Sequence, residues 1–356
     1  MTIAYVITEL HEGGAENALW QLCRQLVSRH SLAICCLHGA DGPVAARVRE
    51  LGIPVDEVGI SSARDLAGIG RLREWLRSSQ ADVIHSWLFH ANFATRLANP
   101  GPTPLVCGLR VNEPRRSHVL PDRWTRGKVT RYACVSQQVK AFAVDELRAD
   151  PARCTVIENG VDFGAFESAR TGKRPSDCVL GLTVARIARQ KAHHRLLRGL
   201  ATLPPTLDWS WRFVGAVAEP DYQAELTALA SELGIHERIE WVGPVTKQQV
   251  FAEYANATAF ALASSWEGQP NVVLEAMASG LPVICTRTDG IPQLLDAVPG
   301  CVRAVQGEPN DWSVIPELVA DQALIAAGLQ AAQARGWEDV ARQYESLYQE
   351  VAPCAG

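Results

Sequence analysis

Two glutamates with a fixed spacing, Glu267 and Glu275, are the residues whose types and positions point most directly to chemistry. They lie eight residues apart in the segment Glu-Gly-Gln-Pro-Asn-Val-Val-Leu-Glu. The first stands in a glycine- and proline-bearing loop, and the second inside a helix predicted to begin near Asn271. A loop of this kind before a helix N-terminus binds anions, whereas ionised carboxylates accept hydrogen bonds from hydroxyl groups. A ligand that carries both phosphates and sugars, a nucleotide-sugar, fits this combination.

A second candidate set is cationic and follows another predicted strand. Arg186 and Lys191 lie between that strand and the next helix, in Val-Ala-Arg-Ile-Ala-Arg-Gln-Lys. Two cations at such a place can neutralise a diphosphate, the arginine as a bidentate fork and the lysine as a point charge. Basic residues are usually only solvated surface, so it is the position at a strand end that favours a binding role.

Two places in the N-terminal half have the same strand-to-helix position. Gly13 and Gly14 follow the first predicted strand, where glycines let the backbone approach a ligand closely, although an ordinary tight turn explains them equally well. They do not form G-x-G-x-x-G, which disfavours a nicotinamide site. His85 lies in the fourth predicted strand, and His90 and Asn92 follow it at the start of the next helix. His90 is the better candidate for ligand contact, and a histidine with satisfied hydrogen bonds is the structural alternative.

A basic stretch stands out in an otherwise acidic chain. Its members are Arg110, Arg115, Arg116, Arg123, Arg126, Lys128 and Arg131. Arg110, Arg115 and Arg116 are candidates for an anionic acceptor or for peripheral contact with an anionic membrane. A solvated basic face without a partner is the alternative.

Composition limits the classes of function. A chain of 356 residues with 47% apolar residues is expected to form two domains with separate cores. The net charge of −5 argues against a general polyanion binder, so no nucleic-acid partner is expected. The chain contains no apolar run of eighteen residues, and its first residues resemble a buried strand rather than a secretory signal.

The ten cysteines lie mostly in apolar, strand-like segments, and none forms a C-x-x-C pair. They are therefore expected to be reduced, structural thiols rather than disulfides or metal ligands. A cytoplasmic location follows as an expectation, with surface contact at the inner face of the membrane if the basic stretch binds lipid.

Apolar segments alternate with helical patterns in two successive series. The segments are continuously apolar, which is typical of parallel strands covered by helices on both faces. The first series of predicted strands is 3–8, 32–38, 55–60, 82–87, 104–110, 131–136 and 154–158. The second is 179–186, 209–215, 239–243, 259–265, 282–286 and 301–305.

The predicted organisation is two doubly wound, Rossmann-like α/β domains that face each other across a cleft. The first domain spans 1–165, a polar linker spans 166–177, and the second domain spans 178–335. The segment 336–356 is predicted to form an amphipathic helix that packs back on the first domain. Because ligands bind beyond the carboxyl ends of parallel strands, the cleft is the expected site.

These motifs together resemble the retaining glycosyltransferases of family 4, which have the GT-B fold. The two glutamates match the E-x7-E motif of the family, and Arg186 with Lys191 is similar to its phosphate-binding pair. The glycine turn and the strand-four segment at His90 are also similar to family motifs. The chain departs from the usual pattern at three positions, Gln269, Ala192 and Gln293, and the first of these bears on donor-sugar specificity.

The resemblance implies a nucleotide-diphosphate sugar donor held by the second domain, with no cofactor and no metal. Arg186 and Lys191 then contact the diphosphate, Glu275 accepts hydrogen bonds from ribose hydroxyls, and Glu267 lies near the sugar. Four residues of the intervening loop complete the expected donor site: Gln269, Pro270, Asn271 and Val272.

The resemblance also implies a role for the first domain and a mechanism. Gly13, Gly14 and His90 are expected to approach the donor, and His90 joins Glu267, Arg186 and Lys191 as the residues expected at the reactive centre. The implied reaction moves a hexose from a UDP- or GDP-sugar to a saccharide or lipid-linked acceptor in bacterial polysaccharide or glycoconjugate synthesis, with retention of configuration. A nucleotide-sugar epimerase of the same fold and a non-catalytic nucleotide-sugar-binding protein are the alternatives.

Overall fold

The structure is a computed structural model of the chain, and it describes residues 1–60, 62, 65–112, 115–171, 178–288 and 290–352. Within these ranges the chain divides into two compact units. The first contains residues 1–159 and the helix Trp337–Val351, and the second is Gly160–Gly336. Each unit is built on one parallel β-sheet, and each of the thirteen predicted segments overlaps one strand. The predicted α/β fold class is therefore confirmed.

Seven strands form the sheet of the first unit. They are β1 (Thr2–Ile7), β2 (Ser31–Cys36), β3 (Val55–Glu57), β4 (Val83–Trp87), β5 (Leu105–Leu109), β6 (Arg131–Cys134) and β7 (Cys154–Val156). They pair in the order β3-β2-β1-β4-β5-β6-β7, and all pairs are parallel. The strand order reverses beside β1, so the carboxyl ends of β1, β4 and β5 lie side by side at the place where ligands bind in such sheets.

Six helices connect these strands. They are α1 (Gly14–Leu26), α2 (Pro43–Glu50), α3 (Leu66–Ser78), α4 (Phe89–Ala98), α5 (Arg116–Thr125) and α6 (Gln137–Asp145). Because successive side chains of a strand point to opposite faces, β1 contributes to two cores. Ile3, Tyr5 and Ile7 belong to one buried cluster, and Ala4 and Val6 belong to the other. The continuous apolar character of this strand thus reflects burial on both faces.

The second unit has six parallel strands. They are β8 (Val179–Val184), β9 (Trp209–Val214), β10 (Ile239–Gly243), β11 (Ala259–Leu262), β12 (Val283–Thr286) and β13 (Arg303–Val305), and they pair in the order β10-β9-β8-β11-β12-β13. Its helices are α7 (Glu167–Thr171), α8 (His193–Leu200), α9 (Pro220–Glu232), α10 (Lys247–Asn256), α11 (Asn271–Ala278), α12 (Ile291–Ala297), α13 (Ile315–Val319) and α14 (Gln322–Gln333). Short 3-10 helices lie at Arg126–Lys128, Pro151–Arg153, Phe163–Phe166, Arg189–Lys191, His236–Arg238 and Pro309–Trp312.

The last helix, α15 (Trp337–Val351), belongs to the first unit although it follows the second in sequence. Its buried side chains join the core that also contains α1 and α2. Val340, Tyr344, Leu347 and Tyr348 form this face, at the spacing of an amphipathic helix. The first unit therefore needs both ends of the chain for one of its two cores.

The division between the units falls after Asn159, six residues before the boundary expected from composition. The Val161 amide donates to the Arg335 carbonyl at 2.8 Å, so the chain is already paired with the second unit at this point. A backbone hydrogen bond of this kind is invisible in a local sequence pattern.

The predicted linker, 166–177, begins with ordered structure. Phe166 is 4% exposed, and its ring lies 4.8 Å from the ring of Phe251. Residues 167–171 form α7, in which Ala169 is buried. Phe166 thus packs against helix α10 although the surrounding segment is polar. Residues 172–177 of the predicted linker, and 353–356 of the predicted C-terminal helix, lie outside the described residues.

Nine of the ten cysteines lie in the described ranges, and all nine are free thiols. Eight of them are buried. Burial raises the pKa of the Cys285 thiol to about 12, because the charged thiolate is disfavoured away from water. Thiols in this environment serve as small apolar core residues. Cys354 lies outside the described residues.

Candidate active site

The two strands that position Lys191 and Glu267 are neighbours in the second sheet. β8 and β11 pair in parallel, so the loops that follow them leave the same edge. Lys191 ends the 3-10 helix after β8, and Glu267 lies between β11 and α11. Lys191 Nζ donates to Glu267 Oε1 at 2.5 Å, and the two side chains are only 15% and 9% exposed. The predicted cation and the predicted carboxylate therefore form one partly buried ion pair.

Glu267 is held from a second side by Ser264. The Ser264 hydroxyl donates to the same Oε1 at 2.6 Å, and the Ser264 carbonyl accepts from Thr286 Oγ1 at 2.6 Å. Hydrogen bonds to a charged group are the stronger class in proteins, so the carboxylate has a defined position. Sequence reasoning missed Ser264 and Thr286. The position of Ser264 three residues before the glutamate was the available local signal.

Gln190 connects the loop after β8 with the loop after β11. The Ser265 amide donates to the Gln190 carbonyl at 2.8 Å, and Gln190 Nε2 donates to the Trp266 carbonyl at 2.9 Å. Gln190 immediately precedes Lys191 and Trp266 immediately precedes Glu267. These two contacts therefore hold the members of the ion pair opposite each other.

Helix α11 begins at Asn271, as the sequence predicts. Gln269 in the preceding loop is 8% exposed, and Pro270 is the residue before the first helical turn. Gly290 packs against this loop: its φ is +83°, and a Cβ there would lie 3.1 Å from Gln269 Cα. A helix N-terminus carries partial positive charge and backbone N–H groups, so the turn formed with Val272 is chemically suited to an anion.

Glu275 lies one turn inside α11 and is partly buried. The hydroxyl of Tyr254 donates to its Oε2 at 3.1 Å, and the same hydroxyl lies 3.3 Å from the Val272 carbonyl. Burial raises the pKa of Glu275, while the Tyr254 hydrogen bond and the charge of Lys247 lower it. The carboxylate is thus oriented from one side by a tyrosine that lies in α10 and has no local sequence signal.

Arg186 follows β8 and is exposed, and the structure records no contact between its side chain and Lys191 or Glu267. Its carbonyl accepts a hydrogen bond from His193 Nε2 at 3.0 Å. His193 is 1% exposed, and burial lowers its pKa to about 4. The neutral imidazole therefore closes the loop between the two predicted cations without adding a charge.

Ala192 explains one departure from the family pattern. This residue, between Lys191 and α8, has φ 46° and ψ 40°. That left-handed conformation is unfavourable for residues with a Cβ, by about 1 kcal/mol, and glycine adopts it freely. A glycine is therefore the natural residue at this turn, and the alanine here is held by its surroundings, with 0% of its surface exposed.

The glycine turn of the first unit is built tightly against its own helix. Gly13 precedes the first residue of α1, Gly14, and has extended backbone angles. A Cβ on Gly13 would lie 2.1 Å from Glu16 Oε2, so a larger residue cannot occupy this position without displacing that carboxylate. Close approach therefore explains Gly13, and a ligand role for Gly13 and Gly14 stays a prediction.

His90 lies in the first turn of α4 and is exposed. The residue that turns the chain from β4 into α4, Leu88, has φ 73° and ψ 157°, a region populated almost only by glycine. Such strain is concentrated at functional sites. The His90 ring lies 5.5 Å from that of His118, which stacks on Phe89 at 3.8 Å.

The other polar residues of this strand-four segment are structural. Asn92 is buried, accepts from Ser86 Oγ at 2.6 Å and donates to the Gly108 carbonyl at 3.0 Å. His85 is also buried, with its Nδ1 2.7 Å from the Tyr348 hydroxyl. The structure thus separates His90 from His85 and Asn92, because only His90 reaches the surface.

The structure divides the three arginines predicted to face an acceptor or a membrane. Arg115 and Arg116 are exposed beside the start of α5. Arg110 is partly buried and donates through Nη2 to Asn159 Oδ1. Its guanidinium lies over the Trp87 ring, 4.6 Å from the ring centre. Arg110 therefore belongs to a built site rather than to a solvated basic face.

Two kinds of feature are missing from the described part of the chain. Among the described residues, no group of three or more His, Cys, Asp or Glu side chains could hold a metal ion. In the same residues no single helix has the length and apolar character to cross a membrane. One pair, Pro309–Val319 with Gln322–Gln333, reaches that length only across a 93° bend.

Two family models match the chain, one in each unit. Residues 12–164 match the model described as Glycosyltransferase Family 4, and residues 179–314 match the model described as Glycosyl transferases group 1. Together they cover both the glycine turn and the E-x7-E segment.

Among curated proteins, the chain is similar to a D-inositol 3-phosphate glycosyltransferase of a Nocardioides species. The two are 31% identical over 322 residues, which is 78% of this chain and 70% of the relative.

Solved structures share the architecture over the whole chain. The structure of Anabaena HepE in complex with UDP has a TM-score of 0.82 and 20% identity, and covers 98% of this chain and 100% of that one. HepE has also been solved in complex with UDP-glucose. WaaG, a glycosyltransferase involved in lipopolysaccharide biosynthesis, has a TM-score of 0.73 and 16% identity, with 99% and 100% covered. The chain therefore belongs to glycosyltransferase family 4 and is a glycosyltransferase of the GT-B fold.

Proposed function

We propose that this glycosyltransferase moves a hexose from a UDP- or GDP-sugar to a saccharide or lipid-linked acceptor in bacterial polysaccharide or glycoconjugate synthesis. The observation that carries the proposal is the grouping of Lys191, Glu267, Glu275 and the N-terminus of α11 at one edge of the second sheet. Cations and a helix N-terminus suit a diphosphate, and carboxylates suit sugar hydroxyls. The UDP and UDP-glucose complexes of HepE favour UDP as the nucleotide.

In the proposed donor complex, Lys191 bridges its carboxylate partner and the diphosphate. An ammonium has three N–H donors, and the bond to Glu267 uses one of them. Arg186, whose side chain is exposed, supplies the second cation. Glu275 accepts from the ribose hydroxyls, and backbone N–H groups of the turn before α11 face phosphate and sugar oxygens. Glu267 binds the transferred sugar.

The proposed reaction breaks the bond between the anomeric carbon and the phosphate oxygen. Negative charge then grows on the departing diphosphate, where Arg186, Lys191 and the dipole of α11 stabilise it. The acceptor oxygen forms its new bond on the same face, and its proton passes to the departing phosphate oxygen. Configuration is retained, and no protein nucleophile, metal or cofactor is required. Glu267 Oε1 already accepts from Lys191 and Ser264, which suits an orienting role.

The first unit is proposed to bind the acceptor. The glycine turn Gly13–Gly14 and the exposed His90 lie at the carboxyl ends of the neighbouring strands β1 and β4. His90 is proposed to contact the reacting groups, since it is exposed and comes two residues after the strained turn at Leu88. We propose a cytoplasmic location, because buried free thiols are typical of a reducing compartment.

A surface on α5 is proposed to contact an anionic membrane. Leu120 and Trp124, one turn apart, are 47% and 85% exposed. Exposed cations flank this apolar pair: Arg115, Arg116, Arg126 and Lys128. Tryptophan beside basic residues is the composition of interfacial helices, and a lipid-linked acceptor would place the enzyme at such a surface.

Vesicle sedimentation tests this surface. We expect binding to phosphatidylglycerol vesicles at low salt, loss of binding at high salt, and no binding to phosphatidylcholine vesicles. Trp124→Ser should weaken binding by about tenfold, while Trp266→Ser, which removes a half-exposed tryptophan of the second unit, should leave it unchanged. If Trp124→Ser binds the vesicles as well as Trp266→Ser does, the surface on α5 does not contact the membrane and is an ordinary solvated face.

A donor panel tests the proposed function. UDP-glucose, UDP-galactose, UDP-N-acetylglucosamine and GDP-mannose are supplied with saccharide and lipid-linked acceptors, and release of nucleotide and formation of the glycoside are measured. Lys191→Ala and Glu275→Ala should each lower transfer by more than about tenfold, because each loses a bond to a charged group. Glu232→Ala, at an exposed carboxylate of α9, is the control.

The outcomes separate the alternatives. Full activity of both variants would contradict the proposed site. Formation of a new sugar without any acceptor would indicate an epimerase, and tight nucleotide binding without turnover of any pair would indicate a binding protein.

A further inference from the structure

Arg110 lies in a cradle of aromatic and polar side chains at the carboxyl edge of the first sheet. It directly follows β5, and Trp87 is the last residue of the neighbouring strand β4. The Arg110 guanidinium carbon lies over the Trp87 ring, 4.6 Å from its centroid, and the Asn159 side chain accepts a hydrogen bond from Arg110 Nη2. Partial burial and two fixed contacts restrict the guanidinium to one position.

The last helix of the chain completes this cradle. The next contribution is Tyr344 of α15, which is 2% exposed and whose hydroxyl interacts electrostatically with the Arg110 guanidinium. The Tyr344 ring stacks on Trp87, with 6.3 Å between centroids and 29° between planes. Tyr344 therefore packs against the ring on which the guanidinium lies, with its hydroxyl close enough to act on that guanidinium.

Tyr344 is itself held by a buried aromatic group. The His85 ring lies 5.4 Å from that of Tyr344, and His85 Nδ1 lies 2.7 Å from the Tyr348 hydroxyl. The Tyr348 hydroxyl is in turn 3.2 Å from that of Tyr5. Burial lowers the pKa of His85 well below its usual value, so the imidazole is neutral and Arg110 is the cation of this group.

The side chains in direct contact with Arg110 are neutral, so they orient its guanidinium without forming an ion pair with it. Asn159, Tyr344 and Trp87 are neutral, and Glu16 in the first turn of α1 attracts the guanidinium from beside the glycine turn. Arg96 in the same unit differs, because it is fully buried and forms an ion pair with Asp122. An arginine held in one orientation with remaining N–H donors matches a bidentate oxyanion.

We propose that Arg110 binds a phosphate-type oxyanion on the acceptor, and that Tyr344 is the positioning residue that holds its guanidinium for this contact. The inference rests on the proposed function and assigns the acceptor side of the reaction. It gives the last helix a role in substrate binding as well as in the core.

Inorganic phosphate serves as the probe, in calorimetric titrations of the full chain saturated with UDP, so that the donor site is occupied. We expect phosphate to bind the unchanged protein, and Arg110→Gln to weaken that binding by at least about tenfold. Arg110→Lys should retain part of it. Arg131→Gln is the matched control, since Arg131 begins β6 and therefore lies at the opposite edge of the same sheet.

Tyr344→Phe tests the positioning role, because it keeps the ring and removes only the hydroxyl. We expect phosphate affinity to fall about fivefold while UDP affinity and the urea midpoint stay unchanged, a pattern that a purely structural role would not produce. In turnover, the acceptor KM should rise and the donor KM should not.

The outcomes for the two proposals are distinct. A protein that fails to bind UDP contradicts the proposed function. If the unchanged protein binds UDP but its phosphate affinity equals that of Arg110→Gln, the proposed role of Arg110 is overturned. Equal phosphate affinity in the unchanged protein and Tyr344→Phe overturns the positioning role.

Discussion

Glu267 and Glu275 share a side chain and a short segment of sequence, yet their surroundings differ. Glu267 accepts from a lysine and a serine, both contributed by the strand-end loops. Glu275 accepts from Tyr254, and the charge of Lys247 also acts on it. Glu267 is thus one member of an ion pair, whereas Glu275 is oriented by the hydroxyl of a tyrosine. This difference agrees with the separate roles proposed for the two carboxylates.

Tyr254→Phe should weaken donor binding without abolishing turnover. The phenol orients the carboxylate, and a less well-oriented carboxylate forms poorer hydrogen bonds to the ribose, so the donor KM should rise by about threefold to tenfold. The Tyr254 bond lowers the pKa of Glu275, and without it that pKa rises. Because the proposed ribose contacts need the ionised carboxylate, donor binding of the variant should fail at a higher pH than that of the unchanged enzyme. Donor KM measured across the acidic range checks both expectations.

Tyr222→Phe provides the control for this substitution. It removes a hydroxyl that contacts His194 in the same unit, away from α11. An unchanged pH profile in Tyr254→Phe would show that the phenol does not act on Glu275.

At the residue scale, the sequence identified the participants but not their partners. The family resemblance assigns Lys191 to the diphosphate and Glu267 to the sugar, and nothing in the local sequence indicates that the two side chains meet. Their contact depends on β8 lying beside β11 in the sheet. Tyr254 and Ser264 were missed for the same reason, since a tyrosine in a helix and a serine in a loop have no motif of their own.

Helix α8 shows how one element holds the cationic loop. His193, its first residue, is buried and donates to the Arg186 carbonyl, while Ala192 turns the chain through a left-handed conformation. The loop is thus closed by backbone and side-chain contacts before any ligand binds. The stability of this arrangement depends on a neutral imidazole.

Acidification should destabilise the protein through His193. Its folded pKa is about 4, below the ordinary value of 6.5, so between these values the unfolded chain binds a proton that the folded chain does not. The contribution of the neutral imidazole is complete above pH 6.5 and is lost as pH falls towards 4. At about pH 5 the loss is about 2 kcal/mol in the free energy of unfolding.

His193→Gln checks this expectation, since its amide can still donate to Arg186. Urea unfolding near pH 7.5 and near pH 5 should show a smaller difference for the variant than for the unchanged protein. His236→Gln, at an exposed histidine of the same unit, is the control. If all three proteins lose equal stability, the buried imidazole is not the cause.

At the scale of the element, the apolar patterns were sufficient to locate all thirteen strands and the start of α11. Buried parallel strands leave a strong local signal, because both faces exclude polar residues. The linker prediction was wrong over 166–171, where a polar-looking segment packs Phe166 against Phe251. The composition of a segment gives its average polarity, whereas its packing depends on individual side chains. One apolar residue such as Phe166 can therefore pack in a core although the segment around it is polar.

At the scale of the whole molecule, the first unit is closed by the end of the chain. Tyr344, Leu347 and Tyr348 are each at most 2% exposed in the core shared with β1 and α1. Complete burial of such side chains stabilises by about 1.5–3 kcal/mol each. Their sum is comparable with the entire stability of a typical domain, about 5–15 kcal/mol.

Removal of the chain from Trp337 onward should therefore unfold the first unit and leave the second folded. Limited proteolysis of the truncated chain should cleave within residues 1–159 and spare Gly160–Gly336, and UDP binding should persist, since the proposed donor residues lie in that range. Leu347→Ala should give a milder loss of about 2–5 kcal/mol. Protection of residues 1–159 in the truncated chain would contradict this account.

The local order of residues was enough to specify the alternating elements, the two sheets, the E-x7-E segment and the family. These features depend on spacing within a few turns or one strand, and spacing is written directly in the chain. Contacts between distant segments were settled only by folding: Lys191 with Glu267, Tyr254 with Glu275, and Tyr344 with Arg110. Each of these pairs joins elements that become neighbours only through the order of strands in a sheet or through the packing of α15 on the first unit. The physical reason is that the role of a carboxylate or a guanidinium depends on the groups packed around it, and these come from distant parts of the chain.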